Sequence, residues 1–424
     1  MAEIPPHKGD YMNPFEVKES KKNEYYNFKN LFLKSYDKKS LDPYSKTRII
    51  LMNGTEFESN WFLHQMARNI DNQDLKREIA RVRLQEQQQQ KRISCLKPTN
   101  ENMLESTISY EQLAIELTAI LAQNCKCKNT KAALDFALLE DFDHLYRFAN
   151  LLHTDFGIDA DVMVGKFTEI TPGRPTISHH RHPMDNVKTH MDSKKADLYT
   201  KLIGNIITAA EQQTMNFYMN MAQMYKNDMG RKLFAEIGMV EEEHVTQYES
   251  LKDPNCTWLE QWLMHEYTEC YLYYSAWEDE EDEYIKNIWY EHYIMECSHL
   301  KIAKDCLEKY GNLNVADVIA KPEFPKLLKF GENIDYIRNV LKNTATVTSK
   351  EETYVDVNDL DSNYRFFEYN QNLNVCPDCE SGHLVINKHI KKFGKDYRFE
   401  VDKNPIPDLQ NRKKDNTSLG REQS

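Results

Sequence analysis

Residues 234–248 read FAEIGMVEEEHVTQY. Phe234, Ile237, Val245 and Tyr248 recur at the three- and four-residue spacing that places side chains on one helix face. Glu241 falls in the middle of that apolar stripe, with His244 beside it. An unpaired carboxylate costs several kcal/mol to bury, so a helix that turns one inward needs a cation to receive it.

Working outward, the same pattern recurs. Ile203, Ile207, Glu211, Met215 and Tyr218 form the facing stripe of the preceding helix, and the turn between the two makes them an antiparallel hairpin. An earlier hairpin carries Leu104, Ile108, Glu111 and Ile115 on its first helix. Its second helix carries Leu134, Leu138, Asp141, Leu145 and Phe148, with His144 alongside. A later hairpin sets Trp262, Glu266, Glu269 and Tyr273 against Ile285, Trp289, Glu296, His299 and Ala303. Glu111 to Asp141, Glu211 to Glu241, and Glu266 to Glu296 are each 30 positions apart, and a histidine follows each second acid by three. Two such hairpins back to back gather four carboxylates and two imidazoles, a donor set for two metal ions with room for a small oxidant.

These residues give the chain its resemblance to the ferritin-like di-iron carboxylate superfamily, and within it to the rubrerythrin-like branch. The resemblance covers 104–310 and rests on the hairpin–crossover–hairpin order with Glu111, Asp141-x-x-His144, Glu211 and Glu241-x-x-His244. It implies an all-α, ferritin-like four-helix bundle with an additional helical hairpin, a long N-terminal helix and a small C-terminal extension. It implies two Fe ions, with Mn an alternative, held by Glu111, Asp141, His144, Glu211, Glu241 and His244. It also implies oxidoreductase chemistry that reduces peroxide or activates oxygen, fed by an external electron donor that the sequence does not name. The chain departs from the family at Asp141, one methylene shorter than the usual Glu; ligation could shift to Glu140, and Glu116 could compete with Glu111. Glu266, Glu269, Glu296 and His299 stand as a second or alternative metal site. A protein whose iron is cargo and a metal-free helical scaffold are the competing readings.

Composition narrows the field. The 424 residues include only 13 Gly and 14 Pro, against 40% hydrophobic and 29% charged residues, which disfavours a turn-rich all-β chain. No Gly-x-Gly-x-x-Gly or Walker-type loop occurs. A net charge of −13 argues against a long nucleic-acid footprint, and no apolar run suits a membrane span. Nine cysteines and a polar start predict a reducing cytoplasm.

The sequence predicts an N-terminal arm over 1–58, a ferritin-like helical domain over 59–318 and a C-terminal extension over 319–424 with a flexible tail. One long helix is expected over 60–92, where good helix formers run without Gly or Pro and end in a Gln-rich stretch suited to association with a second copy. Cys376, Cys379, His383 and His389 could hold one Zn or Fe in a small knuckle. The HHRH run at 179–182 is a candidate metal-entry cluster, and Tyr267, Tyr271, Tyr273 and Tyr274 are candidate electron donors.

Overall fold

The computed structural model describes residues 12–19, 21, 24–174, 180–374 and 381–397. The chain is almost wholly helical: among the described residues the strands are β1 (Val347–Lys350) and β2 (Thr353–Asp356), paired antiparallel as one hairpin. No described helix is long and apolar enough to cross a membrane. The chain divides into two compact units. The first comprises Met1–Thr99, Met191–Ala209 and Asp253–Lys329; the second comprises Asn100–His190, Ala210–Lys252 and Phe330–Ser424.

The first unit contains the short α1 (Phe28–Leu31) and then a hairpin of α2 (Pro43–Arg68) and α3 (Gln73–Leu96). The single helix expected over 60–92 is therefore two helices, and the expected arm ends where α2 begins. Asp42 caps α2 by accepting from the backbone N–H groups of Tyr44 and Ser45, and Pro43 takes the first helical position, where its missing N–H costs nothing. The chain reverses through Asn69–Asn72 without Gly or Pro, because Asn72 accepts from the Leu75 N–H and starts α3. The first unit is completed by α8 (Trp258–Asp279) and α9 (Glu283–Cys306). A capping box of Thr257 and Glu260 opens α8. Helix α2 runs along α8 and α3 along α9, closing a four-helix ring. A π-turn (Leu307–Gly311) and the short α10 (Val315–Val318) follow α9.

The second unit is built from α4 (Met103–Asn124), α5 (Lys128–Phe156), the later half of α6 (Leu198–Ala222) and α7 (Asp228–Ser250). A capping box of Asn102 and Glu105 opens α4. Helices α5 and α7 pack together, and Tyr110 of α4 stacks on Phe217 of α6 with ring centroids 4.5 Å apart. The expected stripe Leu134, Leu138, Asp141, Leu145 and Phe148 is completely buried. The C-terminal extension is less peripheral than expected: α11 (Ile334–Thr344) packs on α4 and α5, and α13 (Ser381–Phe393) on α5 and α7. Ile337, Leu341, Val385 and Tyr397 belong to the same apolar core as Leu145 and Phe234. Between them lie the β-hairpin and α12 (Arg365–Leu373).

Candidate metal centres

In the second unit, the middle turns of four helices bring Glu111 (α4), Asp141 and His144 (α5), Glu211 (α6), and Glu241 and His244 (α7) together, all buried. Glu241 sits between the two histidines. Its Oε1 is 3.0 Å from His144 Nδ1 and its Oε2 is 3.1 Å from His244 Nδ1. On the His244 side, Asp141 Oδ1 lies 3.4 Å and Glu211 Oε2 3.7 Å from Nδ1. On the His144 side, Glu111 Oε2 lies 4.0 Å from Nδ1. The ligand atoms of Asp141, Glu211, Glu241 and His244 fall within 4.8 Å of one another, as do those of Glu111, His144 and Glu241. The cluster thus has two halves that share Glu241. Asp141, like Glu111 and Glu211, joins only one half.

Neighbours fix these groups from behind. The Tyr218 hydroxyl donates to Glu111 Oε1. His244 Nε2 lies 2.8 Å from Glu140 Oε2, so Glu140 braces the imidazole and does not replace Asp141. Burial alone would raise the Glu140 carboxyl, but Arg181, His244 and Arg174 overcome it and hold the group well below the ordinary carboxylate range. Arg174 is delivered by a close approach: its N–H donates to the Leu139 carbonyl, and its guanidinium donates to Glu140 at 3.2 Å. A Cβ on the preceding Gly173 would sit 2.1 Å from the Leu139 oxygen, so only glycine lets the crossover touch α5. The other expected competitor, Glu116, accepts from Gln112 at 3.0 Å and lies outside the cluster.

The acids themselves lack ordinary partners. Both oxygens of Asp141 and of Glu211 accept no hydrogen bond, and among the described residues no Lys or Arg pairs with Glu111, Asp141, Glu211 or Glu241. Burial and neighbouring negative charge push Glu111 and Asp141 well up, and burial pushes Glu211 up to about 7. Four carboxylates in one dry site favour protonation or a cation.

The first unit holds a second cluster that the sequence revealed only in part. Glu266, Glu296 and His299 meet Glu86 of α3, while Glu269 meets Glu86 and Glu56 of α2. Glu86 Oε1 lies 2.7 Å and Glu296 Oε2 3.2 Å from His299 Nδ1. Glu86, Glu266, Glu296 and His299 form one half, and Glu56, Glu86 and Glu269 the other. Tyr273, expected as a redox tyrosine, donates its hydroxyl to Glu56. Glu56 and Glu86 are again 30 positions apart, but Gln89 stands where the other hairpins have histidine. The third hairpin therefore does not replace the first; it pairs with α2 and α3.

The remaining candidates fall elsewhere. Cys376, Cys379 and His179 lie outside the described residues. His389 is engaged at both ring nitrogens, 2.8 Å from His153 Nδ1 and 2.7 Å from the Lys395 carbonyl, and His383 shares its helix. His180 contacts Glu243, and His182 caps a 3₁₀ turn at Pro183–Asp185. Tyr267 and Tyr271 donate to the carbonyls of Pro322 and Lys326, and Tyr274 packs among Trp277, Tyr293 and Phe324. Comparisons of the chain with protein-family models, curated proteins and solved structures find no match.

Proposed function

We propose that the second unit is a ferritin-like bundle holding two metal ions, best suited to iron, and that it reduces peroxide or activates oxygen with electrons from an external donor. The observation that supports this reading is Glu241, whose two oxygens address the Nδ1 atoms of two histidines in a site where, among the described residues, no Lys or Arg pairs with the other acids. Mixed carboxylate and imidazole donors suit iron, with manganese the closest alternative. Glu111, His144 and Glu241 would hold one ion, and Asp141, Glu211, His244 and Glu241 the other. Iron held by these residues would supply the two electrons that, with two protons, reduce a peroxide to two waters.

The chain's own residues do the rest. Tyr218 fixes the orientation of Glu111, and Glu140 fixes His244 through the ring nitrogen that faces away from the centre. Arg174 and Arg181 keep Glu140 ionised, so it acts as an acceptor for that imidazole. Phe148, Phe234 and Tyr218 pack together and keep bulk water out of the cluster.

The test is metal content per chain on anaerobically purified, iron-loaded protein, followed by rapid mixing with one equivalent of hydrogen peroxide. About two irons lost in Glu241→Ala/His244→Ala, with prompt oxidation in the parent, support the reading. Many irons per chain without turnover would make the metal cargo; no bound metal in a natively folded chain would leave a scaffold.

A further inference from the structure

We propose that the corner of the first unit formed by Glu56, Glu86 and Glu269 binds a hard divalent cation of the manganese or magnesium class, beside an imidazole-bearing position at Glu86, Glu266, Glu296 and His299. This goes beyond the iron chemistry proposed for the second unit and does not depend on it.

The argument starts from the two places where the hairpins differ. In the second unit, His144 of α5 approaches Glu241; in the first unit, Gln89 of α3 occupies the corresponding position and its amide donates to Glu296 Oε1. On α8 a second acid, Glu269, follows Glu266 by three positions, whereas α6 carries Thr214 three positions after Glu211. The first unit has thus exchanged one imidazole for a carboxylate and an amide. Its cluster holds five carboxylates and one histidine; the other holds four and two. Oxygen donors of this kind suit Mg, Ca and Mn, while imidazole favours Fe, Zn and Cu.

Buried carboxylate oxygens at this corner accept no hydrogen bond, and Glu269 Oε2 has the His265 imidazole as its ion-pair contact, with Nδ1 3.6 Å away. Glu56 Oε2 and both oxygens of Glu269 accept no hydrogen bond, and neither does Gln89 Oε1. All three residues are fully buried, and among the described residues no Lys or Arg pairs with Glu56, Glu86 or Glu269. The Gln89 amide donates to Glu296 where the second unit has an imidazole, so this side of the cluster offers no second ring nitrogen. The remaining imidazole is also less supported than its counterpart: His299 Nε2 has no hydrogen-bond partner, where His244 Nε2 has Glu140. Loss of such a brace weakens an imidazole ligand, which tilts the first unit further towards hard cations.

The experiment uses the full chain carrying Glu241→Ala/His244→Ala, so that only the first unit's cluster is intact. It is loaded anaerobically with Mn²⁺ alone, with equal Mn²⁺ and Fe²⁺, and with Mn²⁺ against Mg²⁺. Bound metals are counted by plasma mass spectrometry, and free Mn²⁺ is read from its paramagnetic resonance signal. The expected result is one manganese per chain kept in the presence of iron and released by Glu269→Gln. Adding Gln89→His should shift the Mn:Fe ratio measurably towards iron, because imidazole favours iron over manganese. Displacement by equal Mg²⁺ would assign the corner to magnesium, and retention to manganese; either supports the proposal. It is overturned if a natively helical chain keeps neither ion, or if Gln89→His leaves the Mn:Fe ratio unchanged.

Discussion

At the scale of single residues, each cluster is an arrangement of charges that the fold tolerates for a reason. Glu211 sits with three other carboxylates in a dry site and accepts no hydrogen bond. Glu211→Gln should therefore leave the metal-free protein as stable as before, or more so, while removing the gain that iron confers. At one hundred times the dissociation constant that gain is about 2.7 kcal/mol; thermal unfolding with and without Fe²⁺ measures both halves of the statement. Glu140 makes a different prediction, because it touches an imidazole and not the proposed ions. Glu140→Gln should lower iron affinity by about 10–100-fold while the iron count at saturation stays the same. Six of the residues that meet in the second unit could be picked from helical spacing, since each acid interrupts an otherwise apolar stripe. Gln89 masks the corresponding pair in α2 and α3: with an amide three positions after Glu86, the 30-residue spacing from Glu56 lacks the histidine that marks the other hairpins.

At the scale of elements, what could be read from the sequence depended on how many sides of a helix are buried. Helices α4, α5, α7, α8 and α9 lie within a few residues of where their apolar stripes put them. Helix α2 was lost in the expected arm because Ile49, Ile50, Leu51 and Met52 are all buried in succession, and such a run carries no helical period. The turn at Asn69–Asn72 escaped notice because asparagine side chains there do the work usually given to Gly or Pro. The crossover is held to α5 at Gly173, and Gly173→Ala should destabilise the second unit by about 1–3 kcal/mol through overpacking. Loss of midpoint in denaturant, without change in slope, would check it. Helix α13 offers a pH test. Burial pushes His389 down to about 4, helped by the nearby charges of His153, Lys392 and Lys395. An unfolded histidine takes up its proton near pH 6.5, before the folded one does. The stability this group contributes is therefore present above about pH 6.5 and lost as the pH falls towards about 4. His389→Gln should flatten that part of the stability profile; an unchanged profile would refute the assignment.

At the scale of the whole chain, two hairpin pairs share one polypeptide: α4–α7 supply the second unit's cluster, while α2, α3, α8 and α9 supply the first. Each cluster concentrates negative charge in a chain already at −13, so chelation of iron-loaded protein should lower its unfolding midpoint, and readdition of Fe²⁺ should restore it. A midpoint indifferent to chelator would mean that the acids are satisfied without metal. The nesting of the pairs also sets a timetable for biosynthesis. Glu111 through His244 are all polymerised before Glu266 is added. The second unit's ligands are therefore complete on a chain still being translated, whereas Glu56 and Glu86 wait as half a cage until α8 and α9 arrive. Metal supplied during synthesis would meet the two clusters at different moments.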